Sequence, residues 1–153
     1  MRVTRILMTS AITIALLAVS CAPAAPAQRY TTYTYTVAVP THLVGPNERL
    51  KLVWEPQLAS PSSERFEIRL CVALFGPWES VEALKRAVQP NTRSCPPQGA
   101  IATSETARTA SNTGAPVAAD LTMPSETGFY DLRQISIYGS GNSMSAGSVI
   151  EVR

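Results

Sequence analysis

The sequence predicts an all-β domain, an antiparallel β-sandwich of about seven strands with one short helix inserted at 78–88. Two patterns carry that expectation. Short runs rich in β-branched and aromatic residues alternate apolar and polar side chains with a period of two. Turn signals separate these runs at short, regular spacing, as in two packed antiparallel sheets. One stretch alone, 78–88, keeps a helical period instead.

Residues 30–39, YTTYTYTVAV, place Tyr33, Tyr35, Val37 and Val39 on one face and Thr32, Thr34, Thr36 and Ala38 on the other. The loop that follows carries the turn signal Gly45-Pro46-Asn47. Leu50, Leu52 and Trp54 then share a face while Arg49 and Lys51 point to solvent, and Pro56 is expected to end this strand ahead of a loop at 57–64. The strongest strand is 65–75, RFEIRLCVALF. Phe66, Ile68, Leu70, Val72 and Leu74 line one face without a break. Its other face turns from Glu67 and Arg69 to Cys71, Ala73 and Phe75, so its far end needs cover on both sides, which Gly76–Val88 is expected to supply.

Pro77 fits a first helical turn, where its missing N–H costs nothing. Trp78, Val81, Leu84 and Val88 share one helical face, and Glu82 precedes Arg86 by four residues. Two weaker strands are expected at 100–109 and 115–123, the second burying Val117, Ala119, Leu121 and Met123. In 128–138, GFYDLRQISIY, Tyr130 and Leu132 have one parity and Ile135 and Ile137 the other, which predicts a β-bulge near Arg133-Gln134. Residues 139–147, GSGNSMSAG, read as a flexible loop before a closing strand at 148–153.

The N-terminus reads differently. MRVTR is basic, and Ile6–Ser20 is a fifteen-residue, largely apolar run. This is the pattern of a secretory signal. It falls short of the roughly 20 apolar residues that a bilayer span needs, and Pro23 and Pro26 follow at once. Ala18-Val19-Ser20-Cys21 resembles the lipobox of bacterial lipoproteins, with alanine where that family usually has leucine. The resemblance implies cleavage before Cys21, lipidation of that cysteine and a membrane lipoprotein facing the periplasm or cell exterior. Ordinary cleavage after Ala25-Pro26-Ala27 is the alternative. The expected organisation is a signal peptide at 1–20, a lipidated cysteine with an Ala/Pro tether at 21–29, and one domain at 30–153.

Leu121–Leu132, LTMPSETGFYDL, resembles the run into the sixth strand of immunoglobulin-like and fibronectin type III-like domains, where a Gly-x-Tyr forms a tyrosine corner. Gly128, Phe129 and Tyr130 match it, and Leu132 stands where antibody domains have cysteine. The resemblance implies a two-sheet Greek-key sandwich, an immunoglobulin-like fold, and supports fold more than function.

Charge excludes one class of partner. The formal charge is +2, but Arg2 and Arg5 leave with the signal, so 11 basic residues face 11 acidic ones in the mature chain. Without a basic cluster there is no footprint for nucleic acid. Once Cys21 is assigned to lipid, Cys71 and Cys95 form an even pair in an oxidising compartment, which favours a disulfide. With one histidine, His42, and no C-x-x-C, neither a metal site nor a cofactor is expected. His42 with Asp120 or Asp131 and a serine is a triad that sequence alone can always draw, and geometry must decide it. The expected role is non-catalytic: binding, structure or envelope assembly, reached through the N-terminal lipid on the membrane and an envelope protein or glycan as partner. A small secreted hydrolase and an accessory subunit of an envelope complex are the alternatives. Ser140, Asn142 and Ser143 in the 139–147 segment are the candidate binding residues. Trp54 and Trp78 are candidate anchors.

Overall fold

The strand at Glu67–Trp78 is buried on both faces over much of its length, and the rest of the fold is arranged around it. In a computed structural model the described residues are 27–39, 43–87, 89–139 and 141–153. Among them the elements run β1 (Tyr30–Val37), β2 (Leu43–Val44), β3 (Arg49–Ser62), β4 (Glu67–Trp78), α1 (Val81–Arg86), β5 (Ala102–Thr103), β6 (Ala107–Ala110), β7 (Val117–Thr122), β8 (Gly128–Tyr138) and β9 (Asn142–Val152). They form two sheets. One has the order β1-β3-β7. The other has the order β2-β9-β8-β4-β5, with β6 also on β4. All pairings are antiparallel except the two-residue parallel contact of β2 with the end of β9.

The period-two patterns settle how the sheets meet. Tyr35, Val37, Leu50, Leu52, Trp54, Ala119 and Leu121 from the first sheet join Ile68, Leu70, Val72, Leu74, Tyr130, Leu132, Ile150 and Val152 from the second in one buried cluster. Each fully buried side chain of this size contributes about 1.5–3 kcal/mol of transfer free energy. A second cluster lies on the other face of β4 and β8, where Cys71, Ala73, Phe75, Ile135 and Ile137 are covered by Trp78, Cys95 and Ala100. The expected cover on both sides of β4 is therefore present, and it comes from residues 95–100 as well as from the helical segment.

This second cluster also corrects the bulge expected near Arg133-Gln134. The register of β8 against β4 runs unbroken from Tyr138 to Asp131, and against β9 over the whole strand. Tyr130 and Leu132 face the inter-sheet core, while Ile135 and Ile137 face the outer cluster, so the change of parity reflects two buried faces in a regular strand. The shift in register falls instead between Phe75 and Trp78. Gly76 sits there at φ +132°, and a Cβ on it would lie 3.0 Å from the Phe129 carbonyl and from the Trp78 and Tyr130 rings.

Other boundaries move for physical reasons. β3 continues through Pro56 to Ser62, because β7 stops opposite Trp54 and β1 continues alone beyond it. A proline on that unpaired side of β3 breaks no ladder bond. The helix shortens from the expected 78–88 to Val81–Arg86. Pro77 and Trp78 belong to β4, and Ser80 caps the helix by accepting the Ala83 N–H at 3.1 Å. The segment 142–147 is strand, not loop. Gly139 follows β8 at φ +55°, the Gly141 N–H donates to the Tyr138 carbonyl at 3.4 Å, and Tyr138 is paired to Asn142 at the start of β9. Pairing with β8 overrides the weak β propensity of Ser, Gly and Asn.

Polar links bind these layers. The Ser111 carbonyl accepts the Tyr33 N–H at 2.7 Å, and its own N–H donates to the Phe66 carbonyl at 2.9 Å, bridging the two sheets. Ser104 extends the β5–β6 edge by donating its N–H to the Val72 carbonyl and accepting the Val72 N–H on its hydroxyl. Among the described residues no buried side-chain nitrogen or oxygen lacks a partner.

Candidate functional site

Cys71 and Cys95 lie at disulfide distance, with Cα atoms 6.0 Å apart. A disulfide between them would hold Cys95 and Ala100 over Ile135 and Ile137. In the chain-entropy description, closing a loop of this length is worth about 3.5 kcal/mol.

The other sequence-derived candidates do not converge. Cys21, His42 and Ser140 lie outside the described residues. Asn142 and Ser143 fall on β9 in the strand itself. Asp120 pairs with Arg49 at 2.6 Å on the surface, and Asp131 is buried against Arg133 at 2.8 Å. Both acids that were candidates for a triad therefore already have cationic partners. Trp54 is a core residue of the first cluster. Trp78 is half-buried, packs on the outer cluster and reaches the surface at one end of the molecule.

That end holds a cleft of about 710 Å³. The last residues of β4, the start of β8 and the end of β9 build it: Trp78, Glu126, Gly128, Glu151 and Arg153 line it, with Glu79 at the rim. Three features position these groups. The register shift at Gly76 sets Trp78 opposite Phe129 at the end of β4. Tyr130, fully buried, donates its hydroxyl to the Glu126 carbonyl at 2.6 Å and so pins the turn that carries Glu126. Arg153 grips both carboxylate oxygens of Glu151, at 2.7 and 3.0 Å.

The electrostatics follow from these contacts. The Arg153 hydrogen bonds hold the Glu151 carboxyl below its ordinary range, and the same contact raises Arg153. A lowered carboxyl is the reverse of what a general acid needs near neutral pH. Burial, and secondarily the Glu126 charge, pushes the Tyr130 phenol above its ordinary value of 10.0. The cleft thus offers one aromatic face and anionic acceptors, which suits hydrogen-bonded recognition of hydroxyl or ammonium groups. Among the described residues no cluster of three or more His, Cys, Asp and Glu is placed to hold a metal ion. No helix among them is long and apolar enough to cross a membrane.

The cleft is not legible in the sequence because Trp78, Glu126 and the Glu151–Arg153 pair come from three separate parts of the chain. The Gly-Pro-Trp run at the end of the strongest strand was the one available signal. No known protein family matches the chain, and no curated protein matches it.

Proposed function

We propose that the chain is a lipid-anchored, extracytoplasmic β-sandwich of immunoglobulin-like type with a non-catalytic binding or envelope-assembly role. The observation that carries this reading is the placement of the two ends. Tyr30 begins β1 opposite Ser62, at the end where β4 starts and β8 turns into β9. The Trp78 cleft lies at the opposite end of β8, and ten residue steps of strand separate the two by about 34 Å. A tether attached through residues 21–29 would therefore leave the cleft facing away from the membrane.

Supporting the fold assignment, the orders β1-β3-β7 and β9-β8-β4 resemble the A-B-E and G-F-C strands of immunoglobulin-like domains, with β6 on β4 in place of a fourth strand on the first sheet. The bond from the Tyr130 hydroxyl to Glu126, four residues upstream, has the form of their tyrosine corner. Supporting export, the Ile6–Ser20 run precedes Cys21, and Cys71 and Cys95 are close enough to be oxidised.

The test is the intact mass of the mature protein isolated from its native membrane without reductant. A chain that begins at Cys21, carries acyl groups and is two hydrogens short of the dithiol form agrees with the reading. A chain that begins at Gln28 without lipid would sink the anchored form and point to a secreted domain.

A further inference from the structure

Beyond the cleft, the outer edge of β9 has no paired strand from Ser143 to Val149 among the described residues. The hydrogen bonds fix which of its groups are free. Arg153 donates its N–H to the Val44 carbonyl, away from β8, and Gly139, just past the end of β8, donates to the Glu67 carbonyl on β4. Both bonds place the even-numbered residues of β9 in the ladder with β8. The N–H and C=O groups of Ser143, Ser145, Gly147 and Val149 therefore point outward. β2 pairs with β9 at Glu151 and Val152, and among the described residues no strand pairs with 143–149.

Natural proteins guard such edges with charges, prolines or bulges. Residues 143–149, SMSAGSV, have none of these, and the register of β9 with β8 is regular throughout. The opposite edge of the same sheet is treated differently, since β5, Ser104 and β6 cover β4.

Beside the open edge, on the inter-sheet side, lies a slot of about 200 Å³ lined by Tyr35, Thr36, Gln134, Ser136, Tyr138 and Met144. No residue lining it is charged. Met144 is 62% exposed there. On the outer side, the Thr92 hydroxyl donates to the Ser145 hydroxyl at 3.1 Å, so the groups flanking that side are polar.

We propose that 143–149 is a strand-addition site for an extended, uncharged segment of a partner polypeptide. Its backbone would complete the ladder, its inward side chains, apolar and at alternate positions, would enter the slot, and its outward ones would be polar. A second copy is the less suitable occupant under the anchored reading, on which this choice of partner rests. A twofold pairing of β9 with β9 is antiparallel and would send the two tethers to opposite ends of the dimer, and nine residues span at most about 30 Å.

The experiment selects a displayed library of nine-residue peptides against the full mature protein in detergent, and then follows amide exchange by NMR with the selected peptide. The expected result is a period-two apolar consensus that slows exchange at Ser143, Ser145, Gly147 and Val149 specifically. Affinity should fall at least tenfold in Ser145→Pro, which deletes one outward N–H. The same loss is expected in Ala146→Lys, which puts a charge beside the slot and leaves the ladder intact. No selected peptide, protection confined to other amides, or slow exchange at those four amides without peptide would overturn the proposal. Protection that rises with protein concentration would assign the edge to a second copy and overturn it too. An unlipidated mature mass removes the anchored reading but leaves the exchange result standing, so the two failures are distinguishable.

Discussion

β3 and β4 are both long strands with a full row of core residues, yet they meet solvent in opposite ways. β3 buries Leu50, Leu52 and Trp54 on one face and leaves Arg49 and Lys51 in water on the other. β4 buries both faces, because the chain after it returns as a disulfide-tied cover over Cys71, Ala73 and Phe75. The difference teaches that the face of a strand is assigned by what packs on it. On β3 the outward side chains are charged and need no cover. On β4 the outward side chains are apolar, and the 79–101 excursion exists to remove them from water.

The sharpest way to break the comparison is to place a charge on the outer face of β8, next to β4. Ile135→Asp buries an unpaired carboxylate in the second cluster. It is expected to cost more than about 3 kcal/mol, read as loss of the cooperative urea transition. If that variant unfolds with an unchanged midpoint, the outer face is open to water and the distinction fails.

Next in size is the tie itself. Replacing both Cys71 and Cys95 by alanine should lower stability by about 3.5 kcal/mol and make the 79–101 segment the first site of limited proteolysis. The inter-sheet core should survive, so a native strand signature in circular dichroism must persist.

A smaller effect comes from the turn at the cleft. Tyr130→Phe removes the bond to the Glu126 carbonyl and should cost about 1 kcal/mol. Its pH dependence has a definite sign. Burial raises the phenol's pKa in the folded state above the unfolded value of 10.0, so its contribution is complete below 10.0 and is lost as pH rises through the folded value. Urea midpoints measured upward from pH 10.0 should fall more steeply for the wild type than for the variant. Parallel curves would rule out the buried tyrosine as the cause.

The smallest expected change is on the solvated face of β3. Lys51→Thr should shift the urea midpoint by less than about 0.5 kcal/mol equivalent, since the side chain is exposed and packs on neither cluster. A large loss there would mean that β3 also has a covered second face.

Local pattern sufficed for much of the strand assignment. β8 spans the residues its alternation predicts, and Val117, Ala119, Leu121 and Met123 face inward as their spacing requires. It failed where the deciding partner was distant. The uncharged Gly/Ser stretch at 142–147 is strand because β8 lies beside it, and β3 runs past two prolines because β1 pairs with it there. The cleft was illegible for the same reason. Trp78, Glu126 and Glu151 come from three strand ends that meet through antiparallel pairing.

What the sequence by itself determined is the β-rich character, the inward face of each strong strand and the candidate pair Cys71 and Cys95, which the fold brings to disulfide distance. These depend on alternation, hydropathy and residue count, which are properties of short stretches. Only the tertiary structure decided that the parity change in β8 marks two buried faces, that Trp78 opens onto a carboxylate-lined cleft, and that among the described residues no strand pairs with the outer edge of β9 from Ser143 to Val149. Each of these depends on which strand lies next to which, and hydrogen-bonded neighbours far apart in sequence leave no periodic trace in the chain.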